Sequence, residues 1–430
     1  CRLAVSSCGT LNRRPARRAK RARKAGGEGS GMPVEARALR TARAAVAAFF
    51  ALAGIAMGSW VARIPAVQAR LGLDPGALGL ALLGISVGAV LAMPSSGWLI
   101  ARWGSRRVVE TAGLAACALL IFPPLAPNGG LLWLSLACYG AAYGVLDVSM
   151  NTQAAAVETG YGRPIMSSFH GVFSVGGLAG SASAGFIASR GVASEPHLLG
   201  VAIVLAALAL VARRWLLPPA ADSQQSGPAF ARPSQALAGL GAIAFCVLLA
   251  EGAIGDWSAV YLTTVLGAAA GVGAAGYAAF SVTMAAGRFA GDGLADRFGP
   301  VGLARGGGLL IALGMALTLL VERPLLAIAG FAIAGVGMAG LFPVALTAAG
   351  RTPGMPPATA IAAVATLGYL GFLAGPPAIG MAAQAAGLRV GLALIVALGL
   401  AVTLLARSVD AGLPSSHTAP ASARAIEDLA

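Results

Sequence analysis

Charged residues are scarce in this chain. Asp, Glu, Lys and Arg make up 11% of 430 residues, only 16 positions are acidic, and 57% are hydrophobic. Too few charges remain to cover a water-soluble domain of that length, which excludes an ordinary soluble enzyme and calls for a lipid solvent. Histidine, with 3 residues, and cysteine, with 5, are also sparse. Cys1, Cys8, Cys117, Cys138 and Cys246 show no CxxC or metal-ligand spacing, and the last three fall inside apolar runs. Neither a disulfide framework nor a thiolate metal site is therefore expected; packing is. Gly335-Val336-Gly337-Met338-Ala339-Gly340 fits GxGxxG but has no strand before it, so we read it as helix packing through small residues. No zinc, phosphate-loop, nucleophile-elbow or haem pattern occurs, so neither catalysis nor a cofactor is expected.

What is abundant is positive charge in one place. The formal net charge is +14, yet nine Arg or Lys residues precede Met32 against the single acid Glu28. That distribution points away from nucleic acid as a partner. Residues 1–31 read as an upstream-translated extension with Met32 as the native start, or else as a basic arm on anionic headgroups. The first apolar stretch runs straight into a second, unlike a cleavable signal peptide.

About 20 apolar residues are needed to cross a bilayer core, and such stretches recur. Six are expected at Ala44–Ile64, Gly76–Ile100, Val108–Leu125, Leu131–Gln153, Ser168–Ala188 and His197–Val211. Six more are expected at Ala236–Leu262, Ala274–Asp292, Gly302–Leu320, Leu325–Thr347, Thr359–Ala383 and Val390–Ala406. The pattern predicts an all-α membrane protein of twelve transmembrane helices: a basic extension over 1–40, one six-helix bundle over 41–212, a polar linker over 213–235, a second bundle over 236–406 and a tail over 407–430. Fourteen arginines near helix ends fall on the side of the amino terminus, against Arg63, Arg70, Arg190, Arg323 and Arg389 on the other. The imbalance predicts an inner (plasma) membrane protein with both termini cytoplasmic.

The two bundles are copies. A shift of about 195 residues places Leu99, Arg102 and Gly104 on Leu294, Arg297 and Gly299, and Gly176, Gly180 and Gly185 on Gly371, Gly375 and Gly380, with Trp60 near Trp257. Paired six-helix repeats suit a rocking transporter whose solute site lies between the halves.

Within those repeats, Gly97-Trp98-Leu99-Ile100-Ala101-Arg102-Trp103-Gly104-Ser105-Arg106-Arg107 and Asp292-Gly293-Leu294-Ala295-Asp296-Arg297-Phe298-Gly299 resemble the G-x-L-a-D-R-x-G-R-R signature of the major facilitator superfamily. The copies depart from it: Ala101 stands at the acidic position of the first, and Asp292 at the leading glycine of the second. The resemblance implies a cytoplasmic latch at Gly97, Arg102, Gly104, Arg106, Arg288, Asp292, Asp296, Arg297 and Gly299. Gly58-Ser59-Trp60-Val61-Ala62-Arg63-Ile64-Pro65, Asp147-Val148-Ser149-Met150-Asn151-Thr152-Gln153, Glu251-Gly252-Ala253-Ile254-Gly255-Asp256-Trp257-Ser258 and Gly287-Arg288-Phe289-Ala290-Gly291-Asp292 are similar to the YbjJ-like branch, related to fucose permease-type proton symporters.

Ionisable groups inside a membrane span are costly unless paired or wet, so each is a functional candidate. Asp147 and Asn151, one turn apart, share a helix face; Asp147 suits reversible protonation or solute contact, the alternative being a buried hydrogen-bond anchor. Glu251 and Asp256 sit about 140° apart around one helix, Glu251 as the coupling carboxylate and Asp256 as a gate or cap. Pseudo-symmetry allows an Arg63–Asp256 ion pair that closes an outer gate. Trp60 and Trp257 could stack on a sugar face or serve as interfacial belt residues. Arg288 and Asp292 read as an internal pair ordering the latch, with solute contact the lesser alternative, and His170 as either a proton carrier or a hydrogen-bonded core residue. These features predict a monomeric secondary active transporter, with protons as the coupling ion and a small, sugar-like solute. Proton-driven efflux of amphipathic compounds is the second reading, and a membrane sensor or scaffold the third.

Overall fold

The computed structural model describes residues 34–161, 165–218, 237–353, 355 and 357–410. The helices of the first half are α1 (Val34–Val61), α2 (Ile64–Leu71), α3 (Pro75–Trp103), α4 (Ser105–Leu119), α5 (Gly129–Tyr161), α6 (Met166–Ser189) and α7 (Ser194–Ala212). The second half holds α8 (Ala238–Val260), α9 (Ala270–Leu320), α10 (Pro324–Met338), α11 (Leu341–Gly350), α12 (Pro357–Ala386) and α13 (Leu388–Leu405). Among the described residues, eleven segments are long and apolar enough to cross a membrane. The remaining member of the twelve-helix pattern, expected at Ala274–Asp292, is the first part of α9, which continues through Gly299 at φ 68° into the ninth expected span.

Helix ends depart from the hydrophobic runs for physical reasons. An apolar run marks only the lipid-immersed part, whereas a helix continues wherever its own backbone bonds satisfy the chain. Thus α5 extends through Tyr161 and α1 begins at Val34, inside the segment read as an extension. The α1 run breaks at Ala62–Arg63, the tenth span breaks between Met338 and Leu341, and α8 ends in a π-helical turn at Tyr261–Val265. Helix starts are supplied locally: Asp74 Oδ1 accepts from the Ala77 amide at 2.7 Å ahead of α3, and Glu158 Oε2 accepts from the Ile165 and Met166 amides at 2.6 and 2.7 Å ahead of α6. Residues 1–33, 219–236 and 411–430 lie outside the described residues, and with them most of the expected extension, linker and tail; Ala406–Asp410 forms a 3-10 turn.

Leu404, Leu320 and Leu325 are 83%, 82% and 77% exposed, an outer surface that only lipid would solvate. Inside, close helix crossings on glycine replace bulky interdigitation, as expected where hydrocarbon surrounds the helices. Gly140 of α5 packs on the Ile85 carbonyl of α3. The shift of 195 carries this pair onto Gly335 and Phe280, and a Cβ on Gly335 would lie 2.7 Å from the Phe280 carbonyl oxygen. The GxGxxG stretch is therefore helix packing.

Two further crossings join the halves at the end of the molecule holding residues 61–75 and 386–388, which we call the far side. There a Cβ on Gly79 of α3 would lie 2.5 Å from the Pro376 oxygen and 3.0 Å from the Gly380 Cα of α12. The symmetric seam sets Gly185 of α6 against α9, where its Cβ would meet Ala274 Cβ at 2.8 Å. Gly79 and Ala274, like Gly185 and Gly380, are repeat partners. At the opposite end, the latch side, α3 leaves Leu91 75% and Trp98 61% exposed. The far side is closed along both seams.

Candidate functional site

The polar groups that enter the bundle converge between the halves. On α5, Asn151 Nδ2 donates to Asp147 Oδ1 at 3.2 Å and to the Asp147 carbonyl oxygen at 2.9 Å, fixing the carboxylate against its own helix. One turn earlier on the same face, Tyr143 lies within electrostatic reach of Asp147, Tyr277 and Glu251; Tyr369 of α12 lies within reach of Asp147. Tyr277 on α9 lies within electrostatic reach of Glu251, Asp256 and Arg288, with Ser281 one turn further on. Carboxylates and phenols from both halves thus lie within electrostatic reach of one another.

Arg288 ties that cluster together. Its Nη2 meets Glu251 Oε1 at 3.3 Å, and its Nη1 donates to Ser174 Oγ at 3.0 Å. Ser174 belongs to α6 of the first half, while Arg288 and Glu251 belong to α9 and α8 of the second, so one guanidinium spans the interface. Their side chains are 18% and 20% exposed, which keeps the pair only partly screened. His170 lies one turn before Ser174 within reach of Arg288, its ring edge-on to Phe50 at 5.4 Å.

This geometry corrects several expectations. Arg288 takes part in the interface through Glu251 and Ser174, while its expected partner at the latch, Asp292, has its side chain, like that of Asp296, outside the described residues. Arg63 does not pair with Asp256. Its Nε donates to His197 Nδ1 at 3.1 Å and its Nη1 to the Val192 carbonyl at 3.0 Å, tying the break after α1 to the start of α7. Asp256 has neither an ion pair nor a hydrogen bond among the described residues. Trp60 and Trp257 are 1% and 0% exposed, with both indole Nε1 atoms unpartnered, so they fill the core and offer no face to a solute or to the headgroup belt. Both stand near the carboxyl ends of their helices, α1 and α8.

At the latch, Gly104 (φ 79°) and Gly299 (φ 68°) are repeat partners at the same turn, a conformation that L side chains avoid. Arg106 Nη2 donates to the Arg214 carbonyl at 3.3 Å, and Arg213 pairs with Glu110, linking α4 to the end of α7. Arg102 is exposed, Arg297 lies over the Phe298 ring at 5.5 Å, and a Cβ on Gly97 would meet nothing within 4 Å. The sequence pattern does not single out Tyr143, Tyr277, Tyr369 or Ser174. Tyr143 was within reach, being four residues before Asp147; the others become neighbours only through packing between distant helices.

Paired six-helix bundles around a partly open polar interface define a membrane transporter, not an enzyme. The chain belongs to the major facilitator superfamily: the model of that family matches residues 8–162 and 44–359. It is 38% identical over 362 residues to an uncharacterised MFS-type transporter of Yersinia pestis, covering 84% of this chain and 94% of that one. It is 34% identical over 362 residues to the membrane protein MosC of Rhizobium meliloti, covering 83% and 88%. Among solved structures it is similar to an inward-facing, occupied bacterial homologue of the human lysosomal transporter Spinster, with TM-score 0.69, 14% identity and coverage of 91% of this chain and 100% of that one. The E. coli fucose:proton symporter FucP aligns with TM-score 0.56, 15% identity and coverage of 85% and 98%. These structural likenesses speak to the fold alone.

Proposed function

We propose that this chain is a proton-coupled transporter of a small polar, sugar-like solute, working by alternating access with the latch side cytoplasmic. The observation that carries the reading is the charge balance around the interface phenols: of the three carboxylates within their electrostatic reach, Asp147, Glu251 and Asp256, only Glu251 has a cationic partner, Arg288, among the described residues. Uncompensated carboxylates in a membrane interior are costly, by roughly 2.5–3.5 kcal/mol each on insertion scales. Taking up protons removes that cost, which makes the cluster a natural carrier.

In this scheme the solute binds against Asn151, Asp147 and the phenols of Tyr143 and Tyr277. Protonation of Glu251 removes the counter-charge of Arg288, whose link to Ser174 then no longer draws on a three-group chain across the halves. The sugar-like assignment is supported by hydroxyl and amide groups lining the interface and by the YbjJ-like motifs with their relation to fucose permease-type symporters; the arginine imbalance supports the orientation.

Proteoliposome uptake with a panel of sugars and nucleosides, with and without an imposed pH gradient, tests the reading. Accumulation of at least one polar solute, driven by the gradient, is expected. Solute flux indifferent to the gradient would sink the coupling, and Asp147→Asn and Glu251→Gln variants that both accumulate solute at the wild-type rate would sink the residue assignment.

A further inference from the structure

Apart from the Arg288 cluster, the latch side carries a cleft of about 660 Å³, in the size range of small-molecule sites, between α1, the end of α5, α6 and α9. Its outer part is basic. Arg40 is exposed, and half-buried Arg43 donates to Ser168 Oγ at 3.2 Å and lies 5.3 Å from the Tyr161 ring centroid. Neither arginine has a carboxylate partner among the described residues. Glu158, one turn before Tyr161 on α5, is already engaged by the Ile165 and Met166 amides. Two guanidiniums thus line one cleft without a counter-charge among the described residues.

Its inner part is apolar. Ala44 and Ala47 continue the same face of α1 into the span, opposite Val172 of α6 and the Phe289 ring, which is 57% exposed and packs against Gly171. Charge at the mouth and hydrocarbon walls deeper in is the profile of an anionic amphiphile, and a free anion would leave the apolar walls unused. The mouth lies within the first turns of the first span, which begins at Arg37, the level at which headgroups of the surrounding bilayer sit.

We infer that this cleft is a binding site for an anionic membrane lipid, its phosphate held by Arg40 and Arg43 and its acyl chain laid along Ala44, Ala47, Val172 and Phe289. Because Phe289 belongs to the second half and the other walls to the first, the bound lipid touches both moving bodies.

Native mass spectrometry of the detergent-purified full chain, titrated with dioleoyl phosphatidylglycerol or dioleoyl phosphatidylcholine, tests this. The anionic lipid is expected to bind about tenfold tighter or more. The double variant Arg40→Gln/Arg43→Gln should lose roughly thirtyfold, at ~1 kcal/mol per basic residue near a membrane surface. Arg37→Gln, outside the cleft lining, should stay near wild type. Ala44→Trp, which fills the apolar floor and leaves both arginines in place, should also displace the lipid, so a folding defect of the double variant would not decide the matter alone. Equal affinity for the two lipids, an unaffected Ala44→Trp variant, or displacement of the lipid by inorganic phosphate at matching concentration would each overturn the inference.

Discussion

Adding one methyl group at the far-side seam should trap the transporter open on that side. In Gly380→Ala the new Cβ would lie 2.8 Å from the Pro75 oxygen and 2.9 Å from the Gly79 Cα, both backbone atoms that no rotamer change can move. Small-to-large overpacking costs about 1–3 kcal/mol, and the seam exists only while the halves are closed there. The penalty therefore falls on one conformation, shifting the closed-to-open ratio by roughly 5- to 150-fold. Each half retains its own packing, so unfolding should change little. Labelling of Ser86→Cys by a membrane-impermeant maleimide applied from the far side reads this out. Ser86 Oγ bonds the Phe372 carbonyl at 3.0 Å, behind the seam. Labelling should accelerate in Gly380→Ala, and accelerate similarly in Gly185→Ala at the symmetric seam. Unchanged labelling with unchanged flux would refute the view that these seams close the far side.

Three other perturbations follow from the same geometry. A Cβ at Gly97 meets nothing within 4 Å in the far-side-closed state; Gly97→Leu should leave unfolding unchanged yet slow flux by obstructing closure of α3 at its latch end in the opposite state, and a wild-type flux would contradict that. Arg63→Gln and Asp256→Asn should be additive in unfolding free energy within about 0.5 kcal/mol, measured by a double-mutant cycle in detergent; a coupling well above that would restore the gate ion pair. Trp257→Phe removes an unpartnered N–H and should preserve both stability and solute affinity, whereas Trp257→Ala should cost ~3–5 kcal/mol; lost affinity with intact stability in Trp257→Phe would make the ring a solute platform.

Much of the architecture is legible in the residues because lipid imposes a simple rule: apolar runs of sufficient length become helices, and the 195-residue register makes the halves equivalent. Gly104 with Gly299 and Gly185 with Gly380 show that register at work, as matching turns and matching seams. The Asp147–Asn151 clamp was equally readable, since a helix fixes the geometry of neighbours four residues apart. Contacts between distant helices were not. Arg288 has Asp292 one turn away in sequence, and only the packing of α9 against α6 and α8 turns it toward Ser174 and Glu251. Likewise, a tryptophan near a helix end suggests an interfacial belt until the neighbouring helix is seen to cover it, as happens to Trp60 and Trp257.

We propose that Glu251, paired with Arg288 at the interface, couples proton movement to solute movement. The most direct test compares two fluxes in one Glu251→Gln proteoliposome preparation: solute counterflow, which needs only alternating access, and accumulation driven by an imposed pH gradient. Counterflow is expected to persist while gradient-driven accumulation disappears. Accumulation at the wild-type level in that variant would contradict it.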